Sequence, residues 1–182
     1  CIRDSVIRVE STQRLDLLRT LPAFKDGQRG PNRSQFMANF NSSKRGMTLN
    51  LKHAEGQRVA RALVDRSDVV LESFSPGTLA RFGLDWDTVT ADRDDLVMLS
   101  TCMRGQTGPE REYSGFGSQG AALAGLFDLV GWPDRPPMGP WGAYTDFITP
   151  RFGVAALASA LLHRARTGQG QHVDVSQIEA GL

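Results

Sequence analysis

Apolar and polar positions along the chain change period several times, and each change marks an element. Five short runs rich in β-branched or apolar residues have the length and composition of strands: 6–10 (VIRVE), 47–51 (MTLNL), 69–72 (VVLE), 96–101 (LVMLST) and 172–175 (HVDV). Between the second and third, residues 53–66 place Val59, Ala62, Leu63 and Arg66 at the 3.6-residue period with charges opposite, which predicts a crossover helix. Leu79 and Phe82 predict a short helix after Pro76 and Gly77, and Trp86 and Val89 another before the fourth strand. Residues 118–130 read as an Ala/Leu-rich helix. The longest helix candidate starts at Thr149, an N-cap type, with Pro150 at the first helical position, and ends before Gly168. On that placement Asp146 sits just outside the helix N-terminus. Residues 176–182 read as a helix start of fewer than two turns. Strands alternating with helices predict an α/β fold with a mainly parallel sheet. Two Gly/Pro-punctuated segments, 22–32 and 131–145, are loops, and the second is long enough to suggest a functional role.

The 182 residues are expected to form one domain, 1–182, or a piece of a larger protein. Hydrophobic residues at 40% and charged residues at 23% fit a globular core. With 21 Lys and Arg against 20 Asp and Glu, the net charge of +1 carries no broad basic footprint, so neither nucleic acid nor a membrane surface is an expected partner. The longest nearly continuous apolar stretch, 152–162, is far short of the roughly 20 residues a spanning helix needs. No signal peptide is apparent at the start. Cys1 and Cys102 are too few for a disulfide framework, which suits a reducing cytoplasm. Those cysteines and His53, His163 and His172 show no metal-ligand spacing, so no metal is expected. Cys1 stands where a Met would begin a chain, and a strand follows at once; both ends look cut.

Residues 115–120 (GFGSQG) match the glycine pattern of dinucleotide-binding loops, but no strand precedes them and nothing acidic lies between Arg135 and Tyr144. A tight loop entering a helix is the preferred reading, and NAD is not expected. More informative are residues at strand ends, where ligands of parallel sheets collect. Lys52 follows the second strand, Ser73 and Phe74 the third, and Arg19 and Arg81 lie beyond the first and third. Three cations with an exposed aromatic suit phosphates and a flat base.

Taken in order, VIRVE at 6–10, NSSKR at 41–45, TLNLK at 48–52, DVVLESFSPG at 68–77, RFGL at 81–84, YTD at 144–146 and TGQGQ at 167–171 resemble the class III coenzyme A transferases. That family includes formyl-CoA and carnitine CoA-transferases, with α-methylacyl-CoA racemase as a relative. The resemblance implies a Rossmann-like core, part of the large domain of a longer chain that forms an interlocked homodimer. It implies coenzyme A as an acyl-CoA substrate, contacted by Arg19, Leu49, Leu51, Lys52, Ser73, Phe74 and Arg81. Ser73 stands where the family has Asn, and so offers a different adenine-side contact. Asp146 matches the catalytic aspartate, which passes CoA from an acyl-CoA thioester to a small carboxylic acid through an aspartyl intermediate. Two alternatives remain: a racemase of the same fold, and a non-catalytic CoA-binding fragment. Racemisation needs an acid/base pair, and the racemase histidine position falls on Phe116, followed by Gly117.

Overall fold

Each run of β-branched and apolar residues forms a strand, and all pair in parallel. The computed structural model describes residues 5–182; Cys1 lies outside the described residues. The strands are β1 (Ile7–Glu10), β2 (Arg45–Thr48), β3 (Val69–Glu72), β4 (Val97–Cys102) and β5 (Gln171–Ser176). They divide between two sheets, β1 with β2 and β3-β4-β5, where periodicity suggested one. A period of two tells which face of a strand is apolar but not which strand lies beside it, so partner choice was open. This division follows two compact units, Cys1–Ala60 and Arg61–Leu182.

In the first unit, β2 ends at Thr48 rather than running to residue 51. Asn50 stops it: its side-chain oxygen accepts the Lys52 N–H at 3.1 Å and its carbonyl accepts the His53 N–H at 3.0 Å. This Asx turn replaces the ladder and launches α2 (Ala54–Val64); the expected helix is present, but it joins strands of two different sheets and so is not a crossover within one sheet. The expected 22–32 loop holds a single-turn helix, Lys25–Gly27, and is followed by α1 (Gln35–Phe40), which the pattern did not announce.

The second unit is built on β4, whose Val97, Met98 and Leu99 are buried, as is Leu96 just before it. Val97 lies opposite Val69 on one side and Gln171 on the other, so β4 is the central strand. The short helices expected near Phe82 and Trp86 are a single turn, Ala80–Phe82, and α3 (Trp86–Val89). The expected 118–130 helix is broken into α4 (Gly117–Leu123) and α5 (Leu126–Leu129), because Gly125 takes a φ of 79° that no helix contains. Its register therefore cannot continue through. After β5 comes a single turn, Glu179–Gly181, rather than a longer helix.

The long helix α6 runs Tyr144–Thr167 and ends before Gly168 as expected, but it begins five residues before Thr149. Pro150 lies inside it and has no N–H to give the Asp146 carbonyl four residues earlier. At the seventh position the proline is past the first turn, so α6 forgoes that one hydrogen bond. Asp146 is consequently in the first turn of α6, not outside it. The helix packs on the sheet through small residues: Ala160 is buried, and a Cβ on Gly153 would stand 3.7 Å from Leu99 Cδ1. It meets α4 even more closely. A Cβ on Gly117 would stand 2.8 Å from Asp146 Cγ, and one on Gly120 only 2.5 Å from Thr145 Oγ1. The buried Thr145 hydroxyl donates to the Gly117 carbonyl at 3.1 Å. The residues before Gly115 are turn and loop, with no strand after β4 ends at Cys102, so these glycines serve helix packing. No helix among the described residues is long and apolar enough to cross a membrane.

Gly120→Ala should destabilise the protein by about 1–3 kcal/mol, the usual cost of overpacking, because the new methyl cannot avoid Thr145 without breaking its bond to Gly117. Chemical denaturation measures it; a neutral result would mean that α4 and α6 separate freely.

Candidate functional site

In the first unit two of the expected ligand residues, Arg19 and Leu49, lie against Glu10. Arg19 closes the single turn Leu17–Arg19, and its guanidinium is already engaged. It pairs with the Glu10 carboxylate and donates to Pro31 O and Asn32 Oδ1, both at 2.7 Å. Arg8 bridges Glu10 and Asp16. Burial works to raise the Glu10 pKa, but Arg19 and Arg8 outweigh it and hold the carboxyl below its ordinary value. Leu49 follows β2, its N–H bonded to Glu10 O at 2.9 Å. Leu51 accepts from Gln57 Nε2 at 2.8 Å, and the exposed Lys52 ammonium has no polar partner among the described residues.

In the second unit Ser73 and Phe74 leave the end of β3. The buried Glu72 carboxylate accepts the Phe74 N–H at 2.7 Å and Gln106 Nε2 at 3.2 Å, while that amide also reaches Phe74 O at 3.4 Å. Gln106 N–H is held in turn by Asp174 at 2.7 Å. The Phe74 loop is thus tied to β3 and β5 while its ring remains exposed. Arg81, in the turn Ala80–Phe82, is exposed, with Nη2 on Thr78 Oγ1 at 2.8 Å.

A cavity of about 150 Å³ opens beside this loop, lined by Ser73, Phe74, Cys102, Met103, Tyr113 and Gln177 among others. Gln177 carries it to Asp146: its Nε2 donates to Asp146 Oδ1 at 3.2 Å. Arg81 does not line this cavity. Ser73, Phe74 and Asp146 therefore belong to one neighbourhood, through a glutamine that sequence patterns did not single out. The available signal was position alone, since Gln177 follows the carboxyl end of a parallel strand. His172 is used structurally. It shares a 2.9 Å hydrogen bond with Ser100 Oγ and stacks on Trp86 at 5.4 Å.

The Asp146 carboxyl is crowded by protein although part of the residue remains exposed. Desolvation pushes its pKa up, partly offset by the Gly117 N–H and by Gln177. No charged side chain among the described residues contributes to that shift. The loss of water thus works against the ionised form that a helix N-terminus favours. A partly desolvated carboxylate, held at one oxygen by the Gln177 amide and with no charged side chain among the described residues shifting it, has the chemistry a nucleophile needs.

Residues 5–182 match the model of CoA-transferase family III. The chain is 41% identical over 140 residues to the succinyl-CoA–L-malate CoA-transferase beta subunit of Chloroflexus aurantiacus, a match covering 76% of this chain and 34% of that protein. It is 34% identical over 176 residues to the succinate–glutarate CoA-transferase of Agrobacterium fabrum, covering 96% of this chain and 44% of that protein. The crystal structure of a CAIB/BAIF family protein from Brucella suis superposes with a TM-score of 0.88 at 35% identity, covering 97% of this chain and 47% of the other. The chain thus spans less than half the length of each of these proteins.

The raised Asp146 pKa sets a stability difference with a definite sign. As pH rises from the ordinary 3.8 through the raised value, the unfolded chain releases this proton before the folded one, so folding becomes less favourable. Asp146→Asn should therefore gain in Tm relative to the parent across that window and keep the gain at pH 7. Melting curves at several pH values test this; a gain that grows toward acid pH would reverse the assigned shift.

Proposed function

The chain belongs to CoA-transferase family III, and from that footing we propose that it forms the CoA-binding core of an acyl-CoA:carboxylate CoA-transferase in which Asp146 is the covalent nucleophile. The observation that supports this most is the desolvated Asp146 carboxylate, reached through Gln177 from a cavity that Phe74 also lines.

The reaction proceeds by exchange of acyl bonds alone. An Asp146 carboxylate oxygen bonds to the carbonyl carbon of the acyl-CoA, the C–S bond breaks, and sulfur leaves with the electron pair as CoA thiolate. The product is a mixed anhydride. The thiolate then adds to the Asp146 carbonyl carbon, and the anhydride C–O bond breaks to release the donor acid as its carboxylate. An aspartyl-CoA thioester remains. The acceptor carboxylate attacks that thioester and expels the thiolate, giving a second anhydride. Thiolate attack on the acceptor's carbonyl then yields the new acyl-CoA and frees Asp146. No proton moves in any step, and one negative charge is conserved throughout. A site in which no titratable side chain among the described residues partners Asp146 is suited to that sequence. Backbone N–H groups such as that of Gly117 are the natural donors to a tetrahedral oxyanion.

Lys52 and Arg81 are assigned to CoA phosphates and Phe74 to the adenine, with Ser73, Leu49 and Leu51 at the base. Arg19 is assigned to the same ligand, but its bonds to Glu10, Pro31 and Asn32 must be shared or exchanged when it binds. The racemase reading finds less support: Phe116 and Gly117 carry no titratable group beside Asp146. The relatives are named for succinyl-CoA with malate or glutarate, which makes those acids the first substrates to try. The complete protein is proposed to act as an interlocked homodimer in the cytoplasm.

Lys52→Ala and Arg81→Ala should each weaken CoA binding by about ten- to hundredfold, the loss expected for one charge-assisted contact. Calorimetry reads this, and unchanged affinity in both variants removes the phosphate assignment. Asp146→Ala should bind CoA but transfer nothing between succinyl-CoA and L-malate or glutarate. Hydroxylamine should convert Asp146 of the turning-over parent to a hydroxamate, detected by peptide mass. Turnover by Asp146→Ala would refute the nucleophile.

A further inference from the structure

Gln177 is held more firmly than a residue in a surface turn requires. Its N–H donates to Cys102 O at 3.0 Å and the next N–H, of Ile178, to Met103 O at 3.1 Å, so the chain continues along the end of β4 after β5 has finished. Ser176, buried just before it, donates to Met103 O at 3.3 Å and accepts the Glu179 N–H at 3.3 Å. The backbone around Gln177 is therefore fixed by the last residue of the central strand, Cys102, and by Met103 just after it. Its half-buried side chain is aimed at Asp146, with Nε2 3.2 Å from Oδ1, and the same side chain lines the cavity beside Phe74. A carboxamide is suited to this place. It donates to a carboxylate without adding a charge, and unlike Lys or Arg it leaves the nucleophile's charge unneutralised.

We propose that Gln177 is the positioning residue of the nucleophile: its amide holds Asp146 Oδ1, so that Oδ2 is presented to the thioester carbonyl carbon. This rests on Asp146 being the nucleophile. The carboxylate has one bond of rotational freedom that decides which oxygen faces the substrate, and a donor on Oδ1 removes it. The same bond favours the ionised form, opposing the partial desolvation of the carboxyl. In the group-transfer steps, Oδ2 forms the bond to the acyl carbon while Oδ1 takes up the carbonyl character of the aspartyl anhydride. When thiolate later adds to the Asp146 carbon, Oδ1 becomes the oxyanion and the amide already lies against it. Gln177 thus serves orientation in the first step and charge in the second. A purely structural tie between the turn and α6 would stabilise the fold without affecting either.

The test compares Gln177→Met, which keeps the length and removes the donor, with Gln177→Lys, which substitutes a charged donor. In the complete protein, the Asp146 carboxyl is titrated by carbon-detected NMR, and turnover of succinyl-CoA with L-malate is followed in parallel. The Asp146 pKa should rise in the Met variant and fall in the Lys variant. For the Met variant kcat should drop by about ten- to hundredfold, the effect of losing a hydrogen bond to a charged group, with KM for succinyl-CoA unchanged. Opposite pKa shifts are not produced by a structural role. Should Gln177→Met fail to fold, Gln177→Asn retains the amide but shortens its reach by one methylene, and should raise the Asp146 pKa in the same way. An Asp146 titration that matches the parent in a folded Met or Asn variant overturns the proposal. The titration needs no turnover, so it decides the role of Gln177 whatever the substrate. Turnover surviving in Asp146→Asn would instead strike the underlying assignment of the nucleophile.

Discussion

The approach of α4 to α6 is the contact on which the candidate site depends. Two glycines three residues apart on α4 face the first turn of α6 closely enough that a methyl group at either would collide with Thr145 or Asp146. The Thr145 hydroxyl, wholly buried, then bonds the Gly117 carbonyl and fixes the spacing. Two consequences follow from that one contact. The Gly117 N–H comes to act on the Asp146 carboxyl, and that carboxyl loses part of its hydration while the residue stays exposed. The rest of α6 rests on β4 through Gly153 and Ala160, so the position of Asp146 is referred to the best-packed strand in the unit. That same strand fixes Gln177 from the opposite direction.

Two carboxylates illustrate how environment separates structural from reactive groups. Glu10 and Asp146 both lose water, and in both the loss acts to raise the pKa. Around Glu10, the guanidiniums of Arg19 and Arg8 overcome it, leaving a low-pKa carboxylate locked in ion pairs. Around Asp146 the donors among the described residues are neutral, a backbone N–H and a carboxamide, and desolvation prevails. An ion-paired carboxylate is stable and a weak nucleophile. One that is bonded only by neutral donors keeps its charge accessible, at the cost of being easier to protonate.

Much of the fold was legible in the chain because its local signals agree with one another. The strand at 69–72, the helix after Asn50 and the end of α6 at Gly168 came directly from β-branched clustering, helical period and glycine placement. Asp146 and the Phe74 loop were identifiable through motifs that a family shares. Where expectation and structure parted, a non-local contact had overruled a local rule. Thr149 and Pro150 make a good helix start in isolation, yet α6 begins five residues earlier because packing against Gly117 and Gly120 stabilises the added turn. The glycines of residues 115–120 matched a nucleotide-binding pattern, while their use is to admit another helix, and spacing alone cannot distinguish a phosphate from a threonine as the thing approached. Gln177 carried no pattern at all. Its role depends on a hydrogen bond spanning 31 residues, formed only once β5 has paired with β4 and α6 has been seated. The residues by themselves determined which elements form and which side chains bear chemistry. Tertiary structure alone decided which of them meet and how much water reaches Asp146, because hydration and hydrogen-bond partnership belong to positions in space and leave no period in the chain.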